Sequence, residues 1–182
     1  VILGMGDSVY EKKLKELAQK SKKENKNFAL HISLDPVLAK KIYASSDIYL
    51  MPSLFEPCGL GQMIAMRYGT VPLVRATGGL KETVQNFDEK TGTGDGIVFT
   101  EFSQADFLNA VKRSLALFRD KKTWSKVVAN CFKADFSWGE EAKIYTLAYE
   151  SLFKKKAAKP KKSPGKGKEE KSTRNNKNKR EG

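Results

Sequence analysis

Histidine is almost absent from this chain: His31 is the sole one among 182 residues. That excludes, within one chain, a histidine-based catalytic triad and a zinc site built on several imidazoles. Cysteine is nearly as scarce. Cys58 and Cys131 lie far apart with no metal-ligand spacing, so neither a disulfide framework nor a thiolate cluster is expected, and both read as reduced thiols of a cytosol-like compartment. No run approaches the roughly 20 apolar residues of a membrane helix, and no stretch has the make-up of a signal peptide, so no membrane partner is expected. From Lys154 to Gly182 every apolar residue larger than alanine is missing, proline apart. Such a segment cannot offset the entropy of folding and is expected to be disordered.

Charge is present in excess but unevenly placed. The formal net charge is +13, yet thirteen of the 34 Lys and Arg residues, against three Glu, fall between Lys154 and Gly182. The expected division is therefore a mildly basic globular domain over 1–153 and a Lys-rich tail over 154–182. The tail could bind polyanions weakly and non-specifically, with steep salt dependence. It has no aromatic residue to stack on bases, so sequence-specific nucleic-acid recognition is not expected, and a solubilising extension fits the composition equally well. At the other end, Val1-Ile2-Leu3-Gly4-Met5-Gly6-Asp7 has the look of a strand already inside a fold, which suggests that further chain precedes it.

Periodicity supplies the architecture. Short β-rich runs at Val1–Leu3, Phe28–Ile32, Asp47–Met51, Thr70–Val74 and Ile97–Phe99 alternate with helical patterns at about Ser8–Ser21, Val37–Ala44, Leu60–Tyr68 and Leu80–Asn86. Strands alternating with helices predict an α/β fold with a doubly wound, Rossmann-like parallel sheet. Two further helices are expected at about Gln104–Arg119 and Lys122–Asp135, the first burying Phe107, Leu108, Val111, Leu115 and Phe118, and a last one at about Trp138–Phe153. Ser33-Leu34-Asp35-Pro36 reads as a helix start with proline near the first turn.

The stretch from Pro52 to Gly69 concentrates the chemistry. Pro57 biases Glu56 toward extended dihedrals, which puts that carboxylate in a loop at the carboxyl end of a strand, where open α/β sheets bind ligands. A helix is expected to begin near Gly59 or Leu60 and to end at Gly69. Backbone amides at such a start suit a phosphate, and Gly59 and Gly61 would let the backbone approach it closely. Glu56 could equally be a helix-capping carboxylate, and a glycine-rich turn can merely start a helix. Thr77-Gly78-Gly79 opens another helix, either as a ligand contact or as a packing turn. Arg75 follows a strand at the same edge, as an anion ligand or as a surface ion pair.

Phe55-Glu56-Pro57-Cys58-Gly59-Leu60, Arg67-Tyr68-Gly69-Thr70-Val71-Pro72-Leu73-Val74-Arg75 and Thr77-Gly78-Gly79-Leu80, in one register, resemble bacterial glycogen synthase and plant starch synthase. The likeness runs over about residues 1–153. It implies the C-terminal, nucleotide-sugar-binding half of a GT-B glycosyltransferase, an enzyme moving glucose from ADP-glucose or UDP-glucose to the non-reducing end of an α-1,4-glucan with retention, without a metal or other cofactor. It implies Glu56 against the donor glucose, the Cys58, Gly59, Leu60 and Gly61 amides at the distal phosphate, and Leu34 and Asp35 near the nucleotide base. Arg75, Thr77, Gly78 and Gly79 complete the implied donor site. The family's N-terminal domain and the basic segment that neutralises the diphosphate have no counterpart here, so the chain alone is expected to have little or no activity. The resemblance departs at Gly61, where the family usually has threonine, at Ile64, where many related transferases carry a second glutamate, and at Leu34, where many relatives place an aromatic ring. The implied compartment is the cytoplasm, or the plastid in a plant or alga. A non-catalytic module binding a nucleotide sugar or glucan is the competing reading.

Overall fold

A computed structural model describes residues 1–157. The chain falls into two units, Val1–Phe136 and a second beginning at Ser137. In chain order the first unit contains β1 (Ile2–Leu3), α1 (Ser8–Lys23), β2 (Leu30–His31), α2 (Pro36–Ser45), β3 (Ile48–Met51), α3 (Gly61–Arg67), β4 (Val71–Arg75), α4 (Gly78–Thr83), β5 (Ile97–Phe99), α5 (Gln104–Arg119) and α6 (Lys121–Lys133). Every strand pair is parallel: β1 with β2, and β3-β4-β5 with β4 central. The expected α/β architecture is therefore present. Its hydrogen-bonded ladder is divided into two sheets, because β1 and β2 pair over only two residues each and are not bonded to β3.

Local chemistry explains where the helices start. Asp7 accepts from the Val9 amide at 2.8 Å to cap α1, and Asp35 accepts from Val37 and Leu38 to cap α2, with Pro36 in the first turn. Ser103 and Asp120 cap α5 and α6 in the same way, contacts each worth about 1 kcal/mol. Gly69, at φ +77°, ends α3 as expected.

The core lies around β4, where Val71, Leu73 and Val74 are fully buried beneath Met66 of α3, Leu80 of α4, Ile97 of β5 and Val127 of α6. Three expectations need correction. The buried stripe of α5 is Phe107, Ala110, Val111, Ser114, Leu117 and Phe118, whereas Leu108 and Leu115 are exposed. Those two lie seven residues apart on the flank of the helix turned from the sheet. In α1, where the spacing of Leu14, Leu17 and Ala18 predicts the buried stripe, Leu17 is exposed while Leu14, Ala18 and the buried Ser21 form the inner line. Finally, α4 ends at Thr83 rather than Asn86, because the Gln85 carbonyl accepts from the Asp95 and Gly96 amides and Asn86 bridges to Gly96. Those bonds draw the chain out of helical geometry.

The second unit holds α7 (Trp138–Ala157). On it Tyr145, Ala148 and Leu152 are exposed. The helix runs past Phe153 through lysine and alanine, both good helix formers. The tail read as disordered and polyanion-binding lies, from residue 158 onward, outside the described residues.

Candidate functional site

The loop between β3 and α3 is built with its carbonyls turned inward. The Arg75 side chain, from the end of β4, donates Nε to the Ser53 carbonyl at 2.8 Å, Nη2 to the Leu54 carbonyl and Nη1 to Thr100 at 3.3 Å. The Gly79 amide donates to the Glu56 and Pro57 carbonyls at 3.3 and 3.2 Å. Gln62 Nε2 lies within donating distance of the Cys58 and Gly59 carbonyls, at 3.2 and 3.0 Å, and of Thr83 Oγ1 at 3.0 Å.

Peptide planarity then fixes the other side of the loop. In a trans peptide the N–H points opposite to the carbonyl of the preceding residue, and no cis bond occurs among the described residues. Holding the Pro57, Cys58 and Gly59 carbonyls inward turns the Cys58, Gly59 and Leu60 amides outward. The Leu60 carbonyl accepts from Ile64 at 3.0 Å, which directs the Gly61 amide out of the first turn of α3. None of these four amides donates a hydrogen bond within the described residues. The result is a row of unsatisfied donors beside the half-buried Glu56, suited to an anionic oxygen cluster with a polar group next to it.

The helix begins at Gly61 with Leu60 as its N-cap, next to the expected start, while Gly59, at φ +77°, stays outside it. The glycines also serve differently from the sequence reading, which left their faces open to a ligand. A Cβ on Gly59 would lie 2.6 Å from Gln62 Oε1, and one on Gly61 would collide with the Tyr49 hydroxyl. Their empty sides face protein atoms, and it is the backbone amides that face out. Gly78, at φ +45°, is fixed for the same kind of reason, since a Cβ there would run into the Glu56 carbonyl oxygen; at Gly79 it would stand 2.5 Å from the Cys58 carbonyl oxygen. The Thr77-Gly78-Gly79 turn is thus where α4 meets the Glu56 loop backbone to backbone.

The remaining expected residues are placed as follows. Arg75 has carbonyl partners and lies 5.5 Å from the centre of the Phe102 ring; no ion pair of its own occurs among the described residues. Leu34 is 84% exposed, and Asp35 spends Oδ1 on the α2 cap. They stand on the connection after β2, whose sheet is not bonded to that of β3. Cys58 is an exposed free thiol and Cys131 a buried one.

Two side chains went unnoticed in the sequence. Gln62 is fully buried, and its Oε1 has no hydrogen-bond partner among the described residues. Tyr49 packs 5.4 Å from Tyr43 between ring centres, and its hydroxyl is driven above the ordinary tyrosine range by burial first, then by Tyr43, with Glu56 adding to the effect. Neither carries a motif; a glutamine in a helix's first turn is ordinarily solvated, and only packing shows otherwise.

Comparisons with known proteins converge on one family. The family described as "Glycosyl transferases group 1" matches residues 1–127. Glycogen synthase of Bacillus cereus (strain ATCC 10987 / NRS 248) is 47% identical over 153 residues, 84% of this chain and 32% of that protein. Glycogen synthase of Koribacter versatilis (strain Ellin345) is 46% identical over 160 residues, 88% of this chain and 32% of that protein. The chain thus spans about a third of the length of these relatives. Among solved structures, the catalytic domain of Arabidopsis thaliana starch synthase IV, bound to ADP and acarbose, superposes with a TM-score of 0.71 at 32% identity, covering 86% of this chain and 31% of that one.

Proposed function

The chain belongs to the group 1 glycosyl transferases, and from that premise we propose that it is the donor-binding part of an α-glucan glucosyltransferase of the glycogen and starch synthase kind. The reaction is transfer of glucose from ADP-glucose, or UDP-glucose, to the non-reducing end of an α-1,4-glucan with retention. The observation that carries the reading is the outward row of Cys58–Gly61 amides next to Glu56. Diphosphate oxygens accept from those amides, and the glucose stands beside Glu56. As bond cleavage leaves positive charge on the anomeric carbon, the Glu56 carboxylate stabilises it, while the amides stabilise the negative charge left on the departing phosphate. Charges preorganised in this way are usually the largest single catalytic contribution.

Leu34 and Asp35 are assigned to the base side, and Thr77, Gly78 and Gly79 to the turn that seats the Glu56 loop. Arg75 acts from behind that loop. The acceptor surface belongs to the N-terminal domain of such enzymes, and the cations that neutralise the diphosphate to a basic segment that precedes the first strand seen here, so this chain alone has little or no transfer activity. Two free cysteines and the lack of any helix among the described residues long and apolar enough to cross a membrane accord with action in the cytoplasm or a plastid. No metal or organic cofactor enters the scheme; the nucleotide sugar is substrate.

The test is to join the chain to the upstream domain of a related glycogen synthase and measure incorporation of labelled glucose from ADP-glucose into glycogen, beside the same fusion carrying Glu56→Ala. Loss of a transition-state electrostatic partner costs about 10²–10³ in rate. A parent fusion that binds ADP-glucose yet transfers no faster than Glu56→Ala would leave a non-catalytic binding module as the reading.

A further inference from the structure

We propose that Gln62 is a positioning residue of this site: its buried carboxamide, by holding the Cys58 and Gly59 carbonyls inward, aims the Gly59 and Leu60 amides at the bound phosphate. The ligand part rests on the donor-site reading above; the positioning part does not. Three observations meet at this side chain. It is fully buried in the first turn of α3, where surface glutamine would be free. Its Nε2 faces the two loop carbonyls at 3.2 and 3.0 Å and Thr83 Oγ1 at 3.0 Å. Its Oε1 is buried against Gly59, without a partner among the described residues.

The orientation of the amide follows from its neighbours. Exchanging oxygen and nitrogen would set Oε1 against two carbonyl oxygens, so Nε2 must face the loop. Thr83 ties the same group to α4, since its hydroxyl donates to the Gly79 carbonyl at 2.7 Å and so serves Gln62 as an acceptor. The Gly79 amide in turn holds the Glu56 and Pro57 carbonyls. A side chain whose oxygen is left unsatisfied so that its nitrogen can hold two main-chain carbonyls breaks a local rule of packing, and such breaches concentrate at functional sites. With the donor gone, the peptide planes on either side of Gly59 are free to rotate, and Gly59 offers no steric resistance.

The experiment compares the full chain with Gln62→Met, which keeps the length and loses the donor, using backbone NMR and titration with ADP itself. The expected result is a fall in the ¹H–¹⁵N heteronuclear NOE at Gly59 and Leu60, faster hydrogen exchange at Gly79, unchanged exchange in β4, and ADP binding weakened at least tenfold. A residue that only fills the core would lower the melting temperature and leave the loop amides and the ADP affinity as they were; that outcome overturns the proposal, as does a mobile loop with unchanged ADP affinity. If wild-type chain fails to bind ADP, the ligand part of the proposal fails, while the NOE and exchange data still decide whether Gln62 orders the loop. Should Gln62→Met not fold, the smaller and equally donor-free Gln62→Leu gives the same readings.

Discussion

Replacing Gly78 by alanine tests how the Glu56 loop is seated. Two costs are expected. Gly78 has φ +45°, and holding an L-residue there costs roughly 1–2 kcal/mol, partly offset by about 0.4–1 kcal/mol from the less flexible unfolded chain. The second cost is steric: the new Cβ meets the Glu56 carbonyl oxygen, a backbone atom that cannot rotate aside. Relieving it means moving α4 off the loop, an overpacking cost of about 1–3 kcal/mol. Gly92 separates the two. It has φ +73°, and a Cβ there finds nothing nearer than the flexible Lys126 side chain at 3.9 Å. Gly92→Ala should therefore lose about 1 kcal/mol or less, and Gly78→Ala about 2–4 kcal/mol, in urea unfolding monitored by tryptophan fluorescence with a common slope. Since the shift falls on the Glu56 and Pro57 carbonyls, hydrogen exchange at Gly79 should rise in Gly78→Ala alone. Equal stability of the two variants would refute the claim that α4 and the Glu56 loop meet backbone to backbone.

Arg75→Lys cannot reach the Ser53, Leu54 and Thr100 carbonyls together, and a loss of about 1–3 kcal/mol is expected; because its partners are neutral, the loss should be the same at 0.05 and 0.5 M salt, whereas a surface ion pair would be screened. Cys58 should react with a thiol reagent in the native protein and Cys131 only on unfolding, since burial, with Asp95 beside it, pushes the Cys131 thiol up to about 12. The sign for stability follows: above pH 9 the unfolded chain gives up this proton and the native one keeps it, so stability falls as pH rises toward 12, by at most about 1.4 kcal/mol per pH unit. Cys131→Ala should flatten that slope in urea midpoints taken from pH 8 to 10.5; an unchanged slope would remove Cys131 as its source.

The fold was legible in the sequence wherever a local pattern carries a local cause. Asp35-Pro36 announces a helix start because a carboxylate can cap free amides and proline suits the first turn, and Gly69 announces an end because it adopts a positive φ cheaply. The alternation of short apolar runs with helical periods set the parallel α/β class, and the run from Phe55 to Leu80 carried the family. Periodicity was weaker at choosing a face. Leu108 and Leu115 obey the same spacing as the buried residues of α5, and only the position of the sheet decides which flank of that helix is covered.

What tertiary structure alone decided is the direction of the peptide groups at the site. Sequence placed Glu56 in a loop before a helix and glycines at 59, 61, 78 and 79. It could not say that Arg75, Gly79 and Gln62, from three different elements, take the loop's carbonyls: Arg75 and Gly79 lie up to 23 residues from the carbonyls they hold, and Gln62, only three and four residues away, is turned inward by packing that no local pattern encodes. Nor could it say that the glycines are empty to admit Gln62, Tyr49 and two loop carbonyls rather than a ligand. Turning the carbonyls in is what turns the amides out, and that coupling arises from the planarity of the peptide group acting on contacts that exist only once the chain has folded.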